Sequence, residues 1–320
     1  MNFLPPKHLR NPHLQSIMNS VGPRKIKARY LIKRLRSTNL VLKAKDGTRL
    51  LGEYDTNDDS HHAVVVLLHG WEGSSKSSYL VTTANTLLNN GFHVLRLNFR
   101  DHGNTHHMNH GIFNCTMTEE VSDVIKYFFE KYEYKTRFIA GFSLGGNFAL
   151  RIAADHGKEL KLNAVAAISP PVDPINAMNA IRLGPSIYRN YFFRKWSASL
   201  KAKLAFFPEY NYGEELQKAK SLDDLNTVFI PRLTPYSTPN EYFSSYSIVQ
   251  DRLSLLSVPS YLIASLDDPV VPSDDITKIN RNNFLNIDIQ RFGGHCGFIE
   301  SLHADSWVEF HLVDIFKSST

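Results

Sequence analysis

The chain has 320 residues, of which 42% are hydrophobic and 21% are charged, a composition typical of a globular protein with a substantial core. Its formal net charge is +5, but residues 1–45 hold eleven lysines and arginines and no acidic residue, so the remaining chain is net acidic. Two cysteines exclude a disulfide framework, and no apolar run is long enough for a secretory signal or a membrane-spanning helix. We therefore expect a protein of the reducing cytoplasm.

The basic N-terminal segment, residues 1–36, has prolines at positions 5, 6, 12 and 23, which interrupt any regular period. We expect an irregular arm packed on the body of the protein. The alternative is a weak contact between this arm and an anionic membrane surface. No nucleic-acid-binding pattern accompanies the charge, so no nucleic-acid partner is expected.

Strand and helix patterns alternate after this arm. Asp46-Gly47, between two β-prone runs, predicts a hairpin. Further β-prone runs predict strands at 63–68, 92–98, 137–140, 164–168, 258–264 and 286–291, and the sequence between them predicts helices, among them 78–90 and 301–317. This order predicts an α/β fold with a mostly parallel central sheet flanked by helices.

Residues 173–247 break this rhythm, because they contain no clear buried strand and hold 14 of the 37 aromatic residues. We interpret this stretch as an inserted helical cap on a core formed by residues 37–172 and 248–320. The aromatic side chains could line a pocket for an apolar acyl chain or simply pack the cap onto the core, and the sequence does not distinguish the two.

The segment 141–147, with the sequence GFSLGGN, fits the G-x-S-x-G pattern of a nucleophile elbow. An apolar β-prone run precedes it and a helical pattern follows it. A sharp turn from strand to helix would expose the hydroxyl of Ser143 above the sheet, and glycines two residues before and after would give the turn its space. Ser143 is therefore the candidate nucleophile.

A serine hydroxyl needs a base to take its proton and a third group to orient that base. His295 follows the last predicted strand and is the candidate base. Asp268 follows the preceding strand and is the candidate acid, because the hydrophobic turn 269–272 could fix its direction; Asp267 is the alternative. The carboxyl ends of parallel strands meet at one edge, and the order Ser, Asp, His is that of the α/β-hydrolases.

Backbone amides must stabilise the oxyanion of a tetrahedral intermediate. The candidates are the amides of Leu144, directly after the nucleophile, and of Trp71, in the turn that follows the strand at 63–68. His69 and His102 are interpreted as residues that order their loops.

No cofactor or metal is expected. His106, His107 and His110 form a local cluster, but their spacing matches no established zinc motif. No P-loop or dinucleotide fingerprint is present. Cys296 follows the candidate base without lying on an elbow, and we interpret it as a free, semi-buried thiol.

Short motifs distributed over nearly the whole chain resemble the α/β-hydrolase superfamily, and more closely its YheT-like branch, which includes the eukaryotic ABHD1/2/3-type proteins. The matching segments are Asn11–Ser16 (NPHLQS), His69–Ser75 (HGWEGSS) with Tyr79, Asn98–Gly103 (NFRDHG), Gly141–Asn147 (GFSLGGN), Ser169–Asp173 (SPPVD), Asp267–Pro269 (DDP) and Gly293–Phe298 (GGHCGF).

The resemblance implies the α/β-hydrolase fold and a serine hydrolase of carboxylic esters, often acyl esters or lipids, that uses no cofactor. It assigns Ser143, Asp268 and His295 as the triad and suggests a soluble, bacterial-type member. The chain departs from the family at Asp101, where glycine is usual, and at Phe243, where a second tyrosine is usual. We expect Asp101 to place a carboxylate near the site entrance.

Two other functions remain open at this stage. An acyltransferase would use the same triad with an alcohol in place of water. A non-catalytic binding protein would be expected to lack a triad member, and none is missing here.

Overall fold

The structure is a computed structural model that describes residues 2–57 and 63–320, so Met1 of the predicted arm lies outside the described residues. The strands are β1 (Thr38–Lys43), β2 (Arg49–Asp55), β3 (Ala63–Leu68), β4 (His93–Leu97), β5 (Thr136–Phe142), β6 (Ala164–Ile168), β7 (Ser260–Ser265) and β8 (Leu285–Gln290). The helices are α1 (Pro12–Met18), α2 (Pro23–Arg34), α3 (Ser78–Leu88), α4 (Thr118–Lys131), α5 (Leu144–His156), α6 (Pro174–Leu183), α7 (Ser186–Phe206), α8 (Gly213–Lys218), α9 (Leu222–Leu233), α10 (Pro239–Ser245) and α11 (Trp307–Lys317).

Within the described residues these strands form one sheet in the order β1-β2-β4-β3-β5-β6-β7-β8. The predicted hairpin is confirmed, since β1 pairs antiparallel with β2 from Thr38 opposite Tyr54 to Lys43 opposite Arg49. β2 also pairs antiparallel with β4, and every later pairing is parallel. The carboxyl ends of β3 to β8 therefore lie along one edge of the sheet, where α/β proteins bind ligands.

The two faces of the sheet are covered by different helices. On β3 the side chains alternate, so that Val64, Val66 and Leu68 join a core with α4 and α5, while Val65 and Leu67 join a second core with α3 and α11. This burial on both faces explains the continuous apolar run of β3.

The prediction of an irregular N-terminal arm is wrong. Pro12 and Pro23 are the first residues of α1 and α2, where proline is favoured because the first helical amide has no partner in the helix. The side chain of Asn11 caps α1 by accepting from the amides of residues 13 and 14. Buried Arg24 of α2 forms an ion pair with buried Glu309 of α11, which fixes the segment to the body.

Helices α6 to α10 lie between β6 and β7, in the stretch where the sequence predicted helices without a buried strand. The predicted last helix is too long at its start: Ile299 and Ser306 form an antiparallel bridge around a turn, and α11 begins after it. Within the described residues no helix has the length and apolar character needed to cross a bilayer.

Candidate active site

Ser143 occupies the sharp turn between β5 and α5. Its backbone has φ 54° and ψ −122°, a conformation that costs a non-glycine residue about 1–3 kcal/mol. Its amide donates to the carbonyl oxygen of Ile168 at 2.7 Å, which fixes the turn against β6. A Cβ at Gly145 would collide with the carbonyl oxygens of Leu68 and His69, so the motif requires glycine there. The strained turn thus holds the hydroxyl at the carboxyl edge of the sheet.

Two residues from other loops, His295 and Asp268, extend a hydrogen-bonded chain from this hydroxyl. His295, after β8, places Nε2 at 2.9 Å from the Ser143 Oγ. Its Nδ1 lies 2.9 Å from Oδ2 and 3.2 Å from Oδ1 of Asp268, which follows β7. The structure therefore brings the predicted nucleophile, base and acid into one hydrogen-bonded chain.

The direction of the Asp268 side chain is set by its own loop. Its Oδ1 accepts hydrogen bonds from the amides of Val270 and Val271 at 2.8 and 2.9 Å. These bonds leave Oδ2 to face the imidazole of His295. The hydrophobic turn after Asp268 thus orients the carboxylate in the way the sequence suggested.

Asp267, the alternative acid, points elsewhere. Its Oδ1 accepts from the amide of Gly294 at 2.9 Å and so shapes the turn that leads to His295. Burial raises the pKa of Asp267, although the Gly294 amide opposes that shift. Asp267 therefore supports the histidine loop and does not contact the ring.

The environment of His295 favours its protonated form. Burial by itself would lower the pKa of this imidazole, but the neighbouring Asp268 carboxylate outweighs burial and holds the pKa well above 6.5. A histidine with this partner can accept a proton readily and keep the resulting charge stabilised.

The two predicted oxyanion donors have free amides. Among the described residues neither the Leu144 nor the Trp71 backbone N–H donates a hydrogen bond to another group. Leu144 begins α5, where the first amides of a helix have no partner in the helix. A Cβ on Gly70 would lie 3.2 Å from the Cβ of Ser143, so the turn that carries Trp71 closely approaches the nucleophile.

His69 and His102 order the loops around this turn, as predicted. The Nδ1 of His69 bonds to the Gly70 carbonyl at 2.7 Å, and its Nε2 accepts from the Phe99 amide at 3.2 Å. The Nδ1 of His102 bonds to the Arg100 carbonyl, and its Nε2 accepts from the Glu72 amide. Burial lowers the pKa of His102 to about 4 and that of His69 well below 6.5, so both rings are neutral and fully engaged.

The expectation that Asp101 lies near the site entrance is wrong. Its side chain is 4% exposed, and its Oδ1 accepts from the ammonium of buried Lys203 on α7 at 2.8 Å. Its Oδ2 accepts from the amide of Phe113 at 2.9 Å. The carboxylate therefore connects α7 to the loop after β4, and sequence patterning could not reveal a partner 102 positions away.

The histidines of the 106–110 cluster have separate partners. His106 Nε2 lies 2.9 Å from Ser199 Oγ, and His110 Nε2 lies 3.1 Å from Glu209 Oε1. The described part of the chain holds no group of three potential metal-ligating side chains, here or elsewhere. Cys115 and Cys296 are both buried free thiols.

Helix α1 supports the histidine loop, a role that sequence reasoning did not assign. The hydroxyl of Ser16 accepts from the backbone amide of His295 at 2.8 Å and donates to the Pro12 carbonyl at 2.7 Å. The side chain of Gln15 bonds to both the amide and the carbonyl of Ile299. The motif Asn11–Ser16 was the available signal, and the tertiary contact gives it a physical reason.

A largely apolar pocket lies beside the Ser143 hydroxyl, with about 920 Å³ of empty space when its open mouth is included. α6, α7, α9 and α10 form much of its wall together with the loops of the sheet edge. Six of the 14 aromatic residues in 173–247 face it, so they do more than pack this stretch onto the core. The aromatic lining consists of Trp71, Phe113, Phe192, Trp196, Phe229, Tyr242, Phe243 and Tyr246.

Comparison with known proteins agrees with this fold. Residues 59–284 match the family model described as "Serine aminopeptidase, S33", and the chain belongs to this family of α/β hydrolases. It is 25% identical to "Putative esterase YheT" of Escherichia coli over 98% of this chain and 92% of that protein. It is 24% identical to "Phospholipase ABHD3" of Bos taurus over 82% of this chain and 67% of that protein. The chain thus falls in the YheT/ABHD-like branch.

Solved structures show the same fold. The Pyrococcus furiosus esterase Pf2001 superposes with a TM-score of 0.58 at 17% identity, over 91% of this chain and 92% of that one. The 2,6-dihydroxy-pseudo-oxynicotine hydrolase superposes with a TM-score of 0.59 at 18% identity, over 92% of this chain and 71% of that one.

Proposed function

We propose that this protein is a serine hydrolase that cleaves carboxylic acyl esters through an acyl-enzyme intermediate. The observation that carries the proposal is the apolar pocket beside a serine hydroxyl that is hydrogen-bonded to a histidine and, through it, to a carboxylate. A largely apolar pocket suits the acyl chain of an ester or a lipid.

The proposed mechanism assigns a step to each of these groups. His295 Nε2 takes the proton of Ser143 as Oγ attacks the ester carbonyl, and Asp268 stabilises the imidazolium that forms. The amides of Leu144 and Trp71 donate to the oxyanion, an interaction worth about 10²–10³ in rate per donor. The imidazolium then gives its proton to the leaving alcohol, and the acyl group stays on Oγ. Water, deprotonated by His295, releases the acid and restores the hydroxyl.

The pocket chemistry favours an ester over the N-terminal peptide bond that the family description suggests. An aminopeptidase must bind the positively charged α-amino group of its substrate, and a carboxylate is the usual partner for such a charge. In the described part of the chain no aspartate or glutamate lines the pocket. An uncharged acyl chain needs no such partner.

We also propose that residues 173–247 act as a cap that excludes water from the acyl chain, on a core of residues 37–172 and 248–320, with residues 1–36 packed on that core. Support comes from the position of α6 to α10, which lie between β6 and β7 in the chain; α6, α7, α9 and α10 line the pocket. Such an enclosure strengthens the electrostatic interactions around the reacting carbonyl.

The first test is labelling with a fluorophosphonate, which reacts with an activated serine without requiring the natural substrate. We expect one adduct on the wild type and none on Ser143→Ala, measured by intact mass, with both proteins folded by circular dichroism. An adduct on both proteins, or none on the folded wild type, would contradict the proposed site.

A second test addresses the pocket. Ala177→Phe places a ring in the pocket wall, so hydrolysis of p-nitrophenyl octanoate should fall by at least about tenfold more than hydrolysis of the acetate. The matched control is Ala198→Phe, at an exposed alanine of α7 outside the lining. Equal losses on both esters would mean that the acyl chain does not occupy this pocket.

A further inference from the structure

The hairpin of α6 and α7 presents different residues to its two sides. Its inner side supplies Ile181, Phe192 and Trp196 to the pocket wall. Arg189 on α7 donates to the carbonyl of Arg182 on α6 at 2.8 Å, which closes the hairpin at its tip. The outer side is therefore a continuous surface next to the pocket, carried by the same two helices.

The outer side exposes large apolar side chains at this tip. Leu183, the last residue of α6, is 78% exposed, while Ile187 and Tyr191 on the first turns of α7 are 52% and 46% exposed. Positions 187 and 191 are four residues apart and lie on one face of the helix. Exposed apolar residues that cluster in this way indicate an interaction surface.

The face of α7 that carries Ile187 and Tyr191 also carries positive charge. Arg194 and Lys201 follow Tyr191 at helical spacing and are exposed. Residues 174–208 contain no aspartate or glutamate. Their six basic residues are Arg182, Arg189, Arg194, Lys195, Lys201 and Lys203. Because Lys203 is paired inside with Asp101, the exposed Arg194 and Lys201 supply the charge on the same helix face as Ile187 and Tyr191.

The N-terminal segment adds to this surface. His13 Nδ1 on α1 lies 2.9 Å from the hydroxyl of Tyr188 on α7, so α1 borders the hairpin. Residues 1–45 likewise contain no acidic residue. The two acid-free segments of the chain are therefore neighbours in space.

The combination of exposed apolar side chains and positive charge on this surface suits binding to an anionic lipid bilayer better than binding to a protein. Lysine is depleted in the centre of protein interfaces, and a symmetric dimer through this face would bring its cations close to the same cations of the second copy. Anionic headgroups complement lysine and arginine, while leucine, isoleucine and tyrosine can reach the boundary with the acyl chains.

We propose that the outer side of the α6–α7 hairpin docks on the surface of an anionic bilayer and places the pocket beside its lipid-ester substrate. This inference rests on the proposed function, because it names where an acyl ester would come from. The contact is reversible and weakens with salt, since it combines a few side chains with exposed charge.

The test is co-sedimentation of the full chain with phosphatidylcholine vesicles, with and without about 30% phosphatidylglycerol. We expect binding to the anionic vesicles at least about tenfold stronger than to the neutral ones, and weaker binding in about 0.5 M salt. The double variant Leu183→Asp/Ile187→Asp should lose at least about fivefold in binding. The matched control is Leu255→Asp, at a leucine that is 68% exposed and precedes β7 at the opposite end of the sheet.

Hydrolysis of soluble p-nitrophenyl butyrate should be equal in the wild type, the hairpin variant and the control. Hydrolysis of a long-chain ester in anionic vesicles should fall in the hairpin variant alone. No binding of the wild type, equal binding of the hairpin variant, or a dimer that this variant converts to a monomer would overturn the docking proposal. A wild type that binds vesicles but hydrolyses neither ester would instead contradict the proposed function.

Discussion

Replacing Lys203 by methionine would leave the Asp101 carboxylate buried without its ammonium partner. In the folded protein the two side chains are 1% and 4% exposed and 2.8 Å apart. The ammonium also donates to the carbonyls of His106, Asn109 and Gly111. Breaking a buried pair by removing one partner costs about 3–5 kcal/mol, so Lys203→Met should lower the free energy of unfolding by about that amount.

The pair itself contributes little net stability. Burial raises the pKa of Asp101 and lowers that of Lys203, and their mutual attraction does not offset either shift. Asp101 also has φ 61°, which glycine adopts without strain. Asp101→Gly/Lys203→Met should therefore be at least about 2 kcal/mol more stable than Lys203→Met alone, because it removes the unpaired charge and the strain together.

The loss in Lys203→Met should depend on pH. Without its partner the carboxyl of Asp101 has a folded-state pKa above its unfolded value of about 3.9, so folding takes up a proton as the pH falls. The destabilisation is complete above the folded pKa and decreases as the pH falls towards the unfolded pKa. The double variant should show no such decrease.

Urea unfolding followed by tryptophan fluorescence measures the free energy of unfolding of each variant. The matched control is Lys201→Met, which removes an exposed lysine from the same helix and should change stability by less than about 0.5 kcal/mol. If Lys203→Met costs less than about 1 kcal/mol, or the double variant loses as much as the sum of the single ones, the buried pair is not coupled as argued.

Other predictions concern the site. Asp268→Asn should lower kcat by about 10³–10⁴. It should also move the acidic limb of the kcat/KM profile to lower pH, because the charge that raises the pKa of His295 is lost. Asp267→Asn should lower kcat far less, and the reverse ranking of the two variants would make Asp267 the acid. In the wild type the midpoint of that acidic limb should lie above pH 6.5, since His295 must be neutral to act as the base. A midpoint below pH 6.5 would contradict this. Ser16→Ala should lower kcat about 2- to 10-fold with KM unchanged, and Ser16→Thr should restore it; equal loss in both would indicate packing rather than the hydroxyl. Gly145→Ala should abolish labelling by fluorophosphonate, because its Cβ has no space at the elbow, and normal labelling would refute that.

The local sequence predicted the elbow, the β1–β2 hairpin and the main strands, because each depends on residues close together in the chain. Asp46-Gly47 fixes a turn by itself, and the burial of β3 on both faces is visible as an unbroken apolar run. The prolines of the first 36 residues misled the same reasoning. Pro12 and Pro23 begin α1 and α2 instead of interrupting structure, and the contacts that hold these helices come from distant parts of the chain.

By itself the sequence determined which side chains can form the candidate site, since the carboxyl ends of successive parallel strands must meet at one edge. It could not decide which of two adjacent carboxylates faces His295, because that depends on the amides of Val270 and Val271. Nor could it locate the partner of Asp101 or the support that Ser16 gives to the histidine loop. Those contacts join residues more than 100 positions apart, and the packing of α1 and α7 against the sheet edge brings them together.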